Sequence, residues 1–187
     1  MPDAARHKEN LVRTAMRLFR RQGYASSGLA QILAESGAPK GSLYHYFPEG
    51  KEALGEAAVV LAGDKIREML EGHAERHRSP ASFLRAYART MAGWMEESGF
   101  ESGCPIATTL LETAPGSARI REAGERAIDG WAGVIGGVFE RAGLPRARSR
   151  RRARLVVSAM EGALIVARVQ QSTRPIQDVA LLAEEPA

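Results

Sequence analysis

Residues 27–51, SGLAQILAESGAPKGSLYHYFPEGK, constrain the fold most, because they read as two short helices joined by a tight turn. Leu29, Ile32 and Leu33 repeat at i, i+3 and i+4, which buries one stripe of a helix. Ser27 stands before that stripe, where its hydroxyl is expected to cap an orphan backbone N–H. A helix start of this kind, at Ser27 and Gly28, also suits a phosphate, since free N–H groups and the dipole point outward together. Gly37 supplies the left-handed residue that ends the first helix. Pro39 opens the second, where its missing N–H is not needed.

Gly41 is then expected inside a short helix, at about 1 kcal/mol against alanine. Close approach of the backbone to a polyanion such as DNA would offset that cost. Gly41, Tyr44 and His45 share one face at i, i+3 and i+4, with Lys40 at its edge, while Leu43 and Phe47 form the opposite, buried face. Lys40, Ser42, Tyr44, His45, Tyr46 and Lys51 offer cations and hydroxyls to phosphates and aromatic bodies to sugars. The residues alone leave a second reading open, a helical hairpin with a solvated polar face.

The stretch resembles the helix-turn-helix of TetR-family transcriptional regulators, roughly T-x-x-x-x-I-A-x-x-A-G-V-S-x-G-x-L-Y-x-Y/H-F-x-x-K-E-x-L. Ser27 takes the Thr position, Ile32 the Ile, Gly37 the Gly, residues 40–47 the recognition helix, and Lys51-Glu52-Ala53-Leu54 the start of the fourth helix. Leu33 replaces the usual Ala, and Ala38-Pro39 replaces Val-Ser, which removes one phosphate contact. Pro48-Glu49-Gly50 adds a residue before Lys51 and is similar to the LmrA/YxaF-like branch, as is GCPIATTLLETAP at 103–115. The resemblance implies an all-α, nine-helix architecture: a three-helix DNA-binding head over residues 1–50 and an effector-binding, dimerising body over 51–187.

Charge agrees with that division. Residues 1–51 hold eight Lys or Arg against four acids, a surplus equal to the whole formal net charge of +4, so the remainder balances. A basic head on a neutral body is the electrostatic footprint of a nucleic-acid binder. One cysteine, Cys104, excludes an internal disulfide. The charged start MPDAARHKEN lacks a signal peptide's apolar core, and no apolar run approaches the roughly 20 residues of a membrane span. A cytoplasmic protein is expected.

Ahead of the hairpin, residues 4–22 form an amphipathic helix with Leu11, Ala15, Leu18 and Phe19 inward, ended by Gly23; Tyr24 packs between helices. Helix four runs from about Lys51 to Arg76. His73 and His77 at i, i+4 read as exposed residues near a helix end, without the third ligand of a metal site. Ser79-Pro80 starts helix five, which ends near Gly99. Ile106–Glu112 forms a short helix, and Ser117–Ala142 a long one with Ile128, Trp131, Ile135 and Phe139 inward. Arg146, Arg148, Arg150, Arg151, Arg152 and Arg154 read as a solvated helix start before helix eight, Leu155–Gln171; they also leave open a second nucleic-acid patch. A ninth helix covers Ile176–Ala183, and Glu184–Ala187 is a tail.

Helix eight is apolar nearly all round, so a second subunit is the natural cover. In TetR-like proteins the last two helices form the dimer, which points to Leu155, Ala159, Gly162, Ala163, Val166, Ile176 and Val179. Met91, Trp94, Met95, Phe100, Cys104, Thr108, Leu111, Trp131, Ile135 and Met160 suit a cavity for a flat, largely apolar effector, although each alone reads as core. Cys104 by itself reads as a small buried residue in preference to a redox-sensing thiol, since no lysine or histidine lies beside it in sequence. The resemblance implies aromatic drugs or flavonoid-like compounds as ligands.

The expected activity is therefore a ligand-released repressor, a homodimer on a palindromic double-stranded operator. No Ser/Cys–His–acid set, phosphate loop or complete metal triad supports an enzyme or requires a cofactor.

Overall fold

The computed structural model describes residues 2–183; the tail 184–187 lies outside the described residues. Among the described residues there is no strand. The elements are α1 (Pro2–Gln22), α2 (Leu29–Ser36), α3 (Ser42–Tyr46), α4 (Lys51–Arg76), α5 (Pro80–Glu97), α6 (Ala107–Thr113), α7 (Ala118–Arg141), α8 (Arg146–Gln170) and α9 (Arg174–Asp178), followed by a 3₁₀ helix, Val179–Ala183. They divide into two compact units. One comprises residues up to Asp64 with Cys104–Ala127, the other Lys65–Gly103 with the described residues from Ile128 onward.

The first unit is built on α1. Leu11, Ala15, Leu18 and Phe19 form its apolar stripe and pack with Ile32 of α2, Leu43 of α3, Phe47, and Leu54 and Ala58 of α4. Side chains of this size contribute about 1.5–3 kcal/mol each when fully buried. Tyr24 packs between helices as expected: its ring centre lies 5.0 Å from that of Phe19. Gly55 lets α4 pass close beneath it, since a Cβ there would come within 2.9 Å of the Tyr24 ring. At the far edge Arg119 of α7 pairs with Glu49 at 2.5 Å and Glu56 at 2.6 Å, tying the α3–α4 turn to α7.

In the second unit Ser79 caps α5 as expected, its Oγ accepting from the Ser82 amide at 3.2 Å, with Pro80 in the first turn. Phe83, Leu84, Tyr87, Met91 and Met95 line the buried face of α5, and Trp131, Ile135 and Phe139 that of α7. Ile128, on the same stripe by spacing, stays exposed.

Helix α8 begins well before Leu155. Its first turns are the arginine stretch, and the inward positions there are Ser149 and Ala153, both buried against Gly136 of α7. Small contact residues hid the stripe from hydrophobic periodicity. The expected ninth helix is split into α9 and the 3₁₀ turn. His73 is not an exposed residue: it is half-buried, its Nε2 lies 2.9 Å from Thr90 Oγ1, and its Nδ1 is buried without a partner. No described cluster of three or more His, Cys, Asp or Glu could hold a metal ion.

Candidate nucleic-acid interface

The hairpin of α2 and α3 presents the expected face by a partly different route. Gly37 ends α2 at φ 65°, the left-handed stop read from the sequence. Ser27 does not cap α2. The N-cap is Gly28, and the Ser27 hydroxyl is buried, donating to the Gly23 carbonyl at 2.7 Å. The left-handed Gly23 ends α1 with that carbonyl turned toward Ser27, and a hydroxyl so enclosed has nothing to offer a phosphate. The first amides of α2 consequently have no side-chain cap, and Gly28 is exposed at the helix start.

Pro39 does not open α3. It lies one turn earlier, its carbonyl accepting from the Ser42 amide at 2.9 Å, and Gly41 is the N-cap rather than an interior residue. Gly41 has φ −73° and nothing within 4 Å of where a Cβ would stand. Neither backbone conformation nor internal packing requires glycine there.

Leu43 and Phe47 turn into the core, and Tyr44 stands 63% exposed. Lys40, Gly41 and His45 are exposed beside it, and Ser42 is partly exposed. Tyr46 is half-buried against the core, its ring 4.9 Å from that of His45. Lys51 differs from the others. It is half-buried, and its ammonium donates to the Ala25 carbonyl at 3.2 Å. Burial lowers its pKa, and the Glu112 charge opposes that shift. The hairpin is braced on α1 by Arg17 and Glu35 at 2.6 Å; hydrogen bonds from Arg17 and then Gln31 hold the Glu35 carboxyl below the usual range.

The ten expected effector residues are divided between the units. Cys104, Thr108 and Leu111 belong to the first, where Cys104 is buried as expected and Thr108 half-buried. Leu111 is 77% exposed and lines no interior, because α6 turns Thr109 and Thr113 inward. In the second unit Met91, Met95, Trp131, Ile135 and Met160 are core residues, while Trp94 and Phe100 are half-buried. None of the ten lines the two grooves described there. One, of about 450 Å³, is bounded by Arg85, Arg89, Gln177 and Leu181. The other, of about 770 Å³, is bounded by Glu71, Glu75, Gly133, Gly137 and Arg141.

The expected dimer residues also divide. Leu155, Ala159, Gly162, Val166 and Val169 recur along α8 at the spacing of a coiled-coil seam. Leu155, Val166 and Val169 are 54%, 42% and 79% exposed. Ala163, Ile176 and Val179 are buried in their own unit. The short α9 and 3₁₀ segments pack against α5 and α8, which turns Ile176 and Val179 inward. Val169 continues this exposed stripe and was not among the expected residues, though the same spacing points to it.

Residues 11–58 match the family model for bacterial regulatory proteins of the tetR family, and residues 80–181 that for the C-terminal domain of transcriptional regulators of the LmrA/YxaF-like type. The chain is 31% identical over 173 residues to the HTH-type transcriptional regulator LmrA of Bacillus subtilis, covering 92% of each chain. It is 30% identical to the uncharacterized HTH-type transcriptional regulator YxaF of the same organism, covering 92% of this chain and 91% of that one. Among solved structures, a TetR transcriptional regulator from Chloroflexus aurantiacus superposes with a TM-score of 0.80 at 27% identity, over 98% of this chain and 96% of that one.

Proposed function

This chain is a DNA-binding transcriptional regulator of the TetR family, and from that premise we propose that it is a repressor that binds a palindromic operator as a homodimer and is released by a small, largely apolar aromatic molecule. The observation that carries the reading is the outward face of α3. Tyr44 and His45 are exposed on a helix anchored by the buried Leu43, Lys40 and Gly41 are exposed in the turn that leads into it, and Gly41 leaves room for a close approach. Gly28, Ser42 and Tyr46 complete the contact set, with phosphate at the uncapped start of α2. Residues 1–50 touch DNA; residues 51–187 bind the effector and dimerise.

Two heads must reach successive major grooves, about 34 Å apart, which requires a two-fold dimer. The exposed apolar seam of α8 supports that assembly, since a stripe of this length is costly in water. The effector acts by population shift, favouring a spacing of the heads that no longer fits adjacent grooves. An effector binding that state about 100-fold better disfavours the operator complex by up to about 2.7 kcal/mol per site. Helix α4 runs from Lys51 into the body and carries the movement. The protein works in the cytoplasm, beside the DNA it controls. A gel shift on its own promoter tests the DNA reading, and a thermal-shift screen of aromatic compounds, with hits added back to the gel shift, tests release.

A further inference from the structure

The turn joining α1 to α2 is held by charged groups that belong to neither helix. The Glu112 carboxylate on α6 accepts from the Tyr24 amide at 3.0 Å and from the Ala25 amide at 2.6 Å. From another side Lys51, the first residue of α4, donates to the Ala25 carbonyl at 3.2 Å, with its ammonium 4.5 Å from the centre of the Tyr24 ring. Gly23 makes the room. It sits at φ 90°, and a Cβ there would collide with Glu112 Oε1. Two consecutive amides, a carbonyl and a ring of one short turn are thus engaged by one acid and one base.

These are charge-assisted bonds, a class roughly twice as strong as neutral ones, and the one from the Ala25 amide is short at 2.6 Å. The turn they hold leads directly into the uncapped start of α2 and, through Gly37, to the outward face of α3. One N–H of the ammonium is engaged by the Ala25 carbonyl and its charge lies over the Tyr24 ring, so Lys51 is tied to this turn whatever its remaining donors meet. We propose that Glu112 and Lys51 are a pair of positioning residues that set the α2–α3 hairpin for DNA, and that Lys51 acts on affinity through Ala25 rather than as a phosphate contact. The proposal rests on the DNA-binding reading of the head.

The test is operator affinity as a function of salt, with melting temperatures, for the wild type, Lys51→Gln, Glu112→Gln, the double variant and Lys40→Gln. Each phosphate contact contributes about 0.9 to the slope of log affinity against log salt. Lys40→Gln lowers the slope by about that amount. Lys51→Gln weakens operator binding about tenfold while its slope stays that of the wild type. Glu112→Gln, which removes a negative charge, weakens operator binding similarly but not binding to an unrelated duplex. The double variant is no weaker than the worse single, because the two act through one turn. If Glu112→Gln melts below the assay temperature, Glu112→Asp, which withdraws the carboxylate by one methylene, carries the same arm. A slope lowered by about one in Lys51→Gln makes that residue a phosphate contact and overturns the proposal, as does unchanged operator affinity in a folded Glu112 variant. A wild-type protein that ignores its operator overturns the DNA reading instead.

Discussion

Leu43 is fully buried and its neighbour Tyr44 is 63% exposed, so one residue of α3 anchors the helix and the next presents it. The two should fail differently. Leu43→Ala is expected to destabilise the protein by about 2–5 kcal/mol, the range for a buried leucine truncation. Tyr44→Ala should leave the melting temperature within a degree or two and weaken DNA binding for all sequences alike. Thermal melts beside gel shifts separate these outcomes; a Tyr44→Ala protein with wild-type affinity would remove α3 from the interface.

Assembly depends on the α8 seam. Val166→Glu or Leu155→Glu places a charge on an exposed position, so the folded monomer tolerates it while the apposed pair does not. Sedimentation at micromolar concentration should give monomers with weak operator affinity. Tight palindrome binding by such monomers would contradict the dimer.

Much of this organisation was legible in the sequence because it is periodic and capped. Gly37, the Ser79 cap, the span of α4 and the Leu43/Phe47 face follow from spacing and turn chemistry, which are local. What was missed depends on backbone conformation and on groups distant in sequence. The Ser27 hydroxyl has a nearer acceptor in the Gly23 carbonyl once Gly23 adopts its left-handed conformation. Lys51 read as a free cation because Glu112 is far from it in the chain, although one turn binds both. Ile176 and Val179 read as interface residues because sequence does not show which face of a short helix its own unit covers.

The pH dependence of stability has a source in the second unit. Burial first, with Arg76 and His77 adding, holds His73 below the usual histidine range. The unfolded chain therefore takes the proton more readily than the folded protein. This contribution is full above the unfolded value of about 6.5, is lost as pH falls through it, and levels off below the folded value. Melting temperatures from pH 8 to pH 5 should fall less steeply in His73→Gln than in the wild type; identical profiles would exclude His73 as the source.

Effector binding can be followed directly. Trp131 is buried and Trp94 half-buried in one unit, so an aromatic drug or flavonoid bound among the expected pocket residues should quench their emission. The same compound should lower operator affinity. Quenching without that loss leaves a pocket but removes the switch.

If the outward face of α3 reads DNA, the protein distinguishes its own promoter from other duplexes. The most direct measurement is the affinity for a duplex from the protein's own promoter beside an unrelated duplex of equal length, across a salt series. The predicted result is a preference on the order of a thousandfold or more for the promoter duplex, with both affinities falling steeply as salt rises. Equal affinity for the two duplexes at every salt concentration would contradict it.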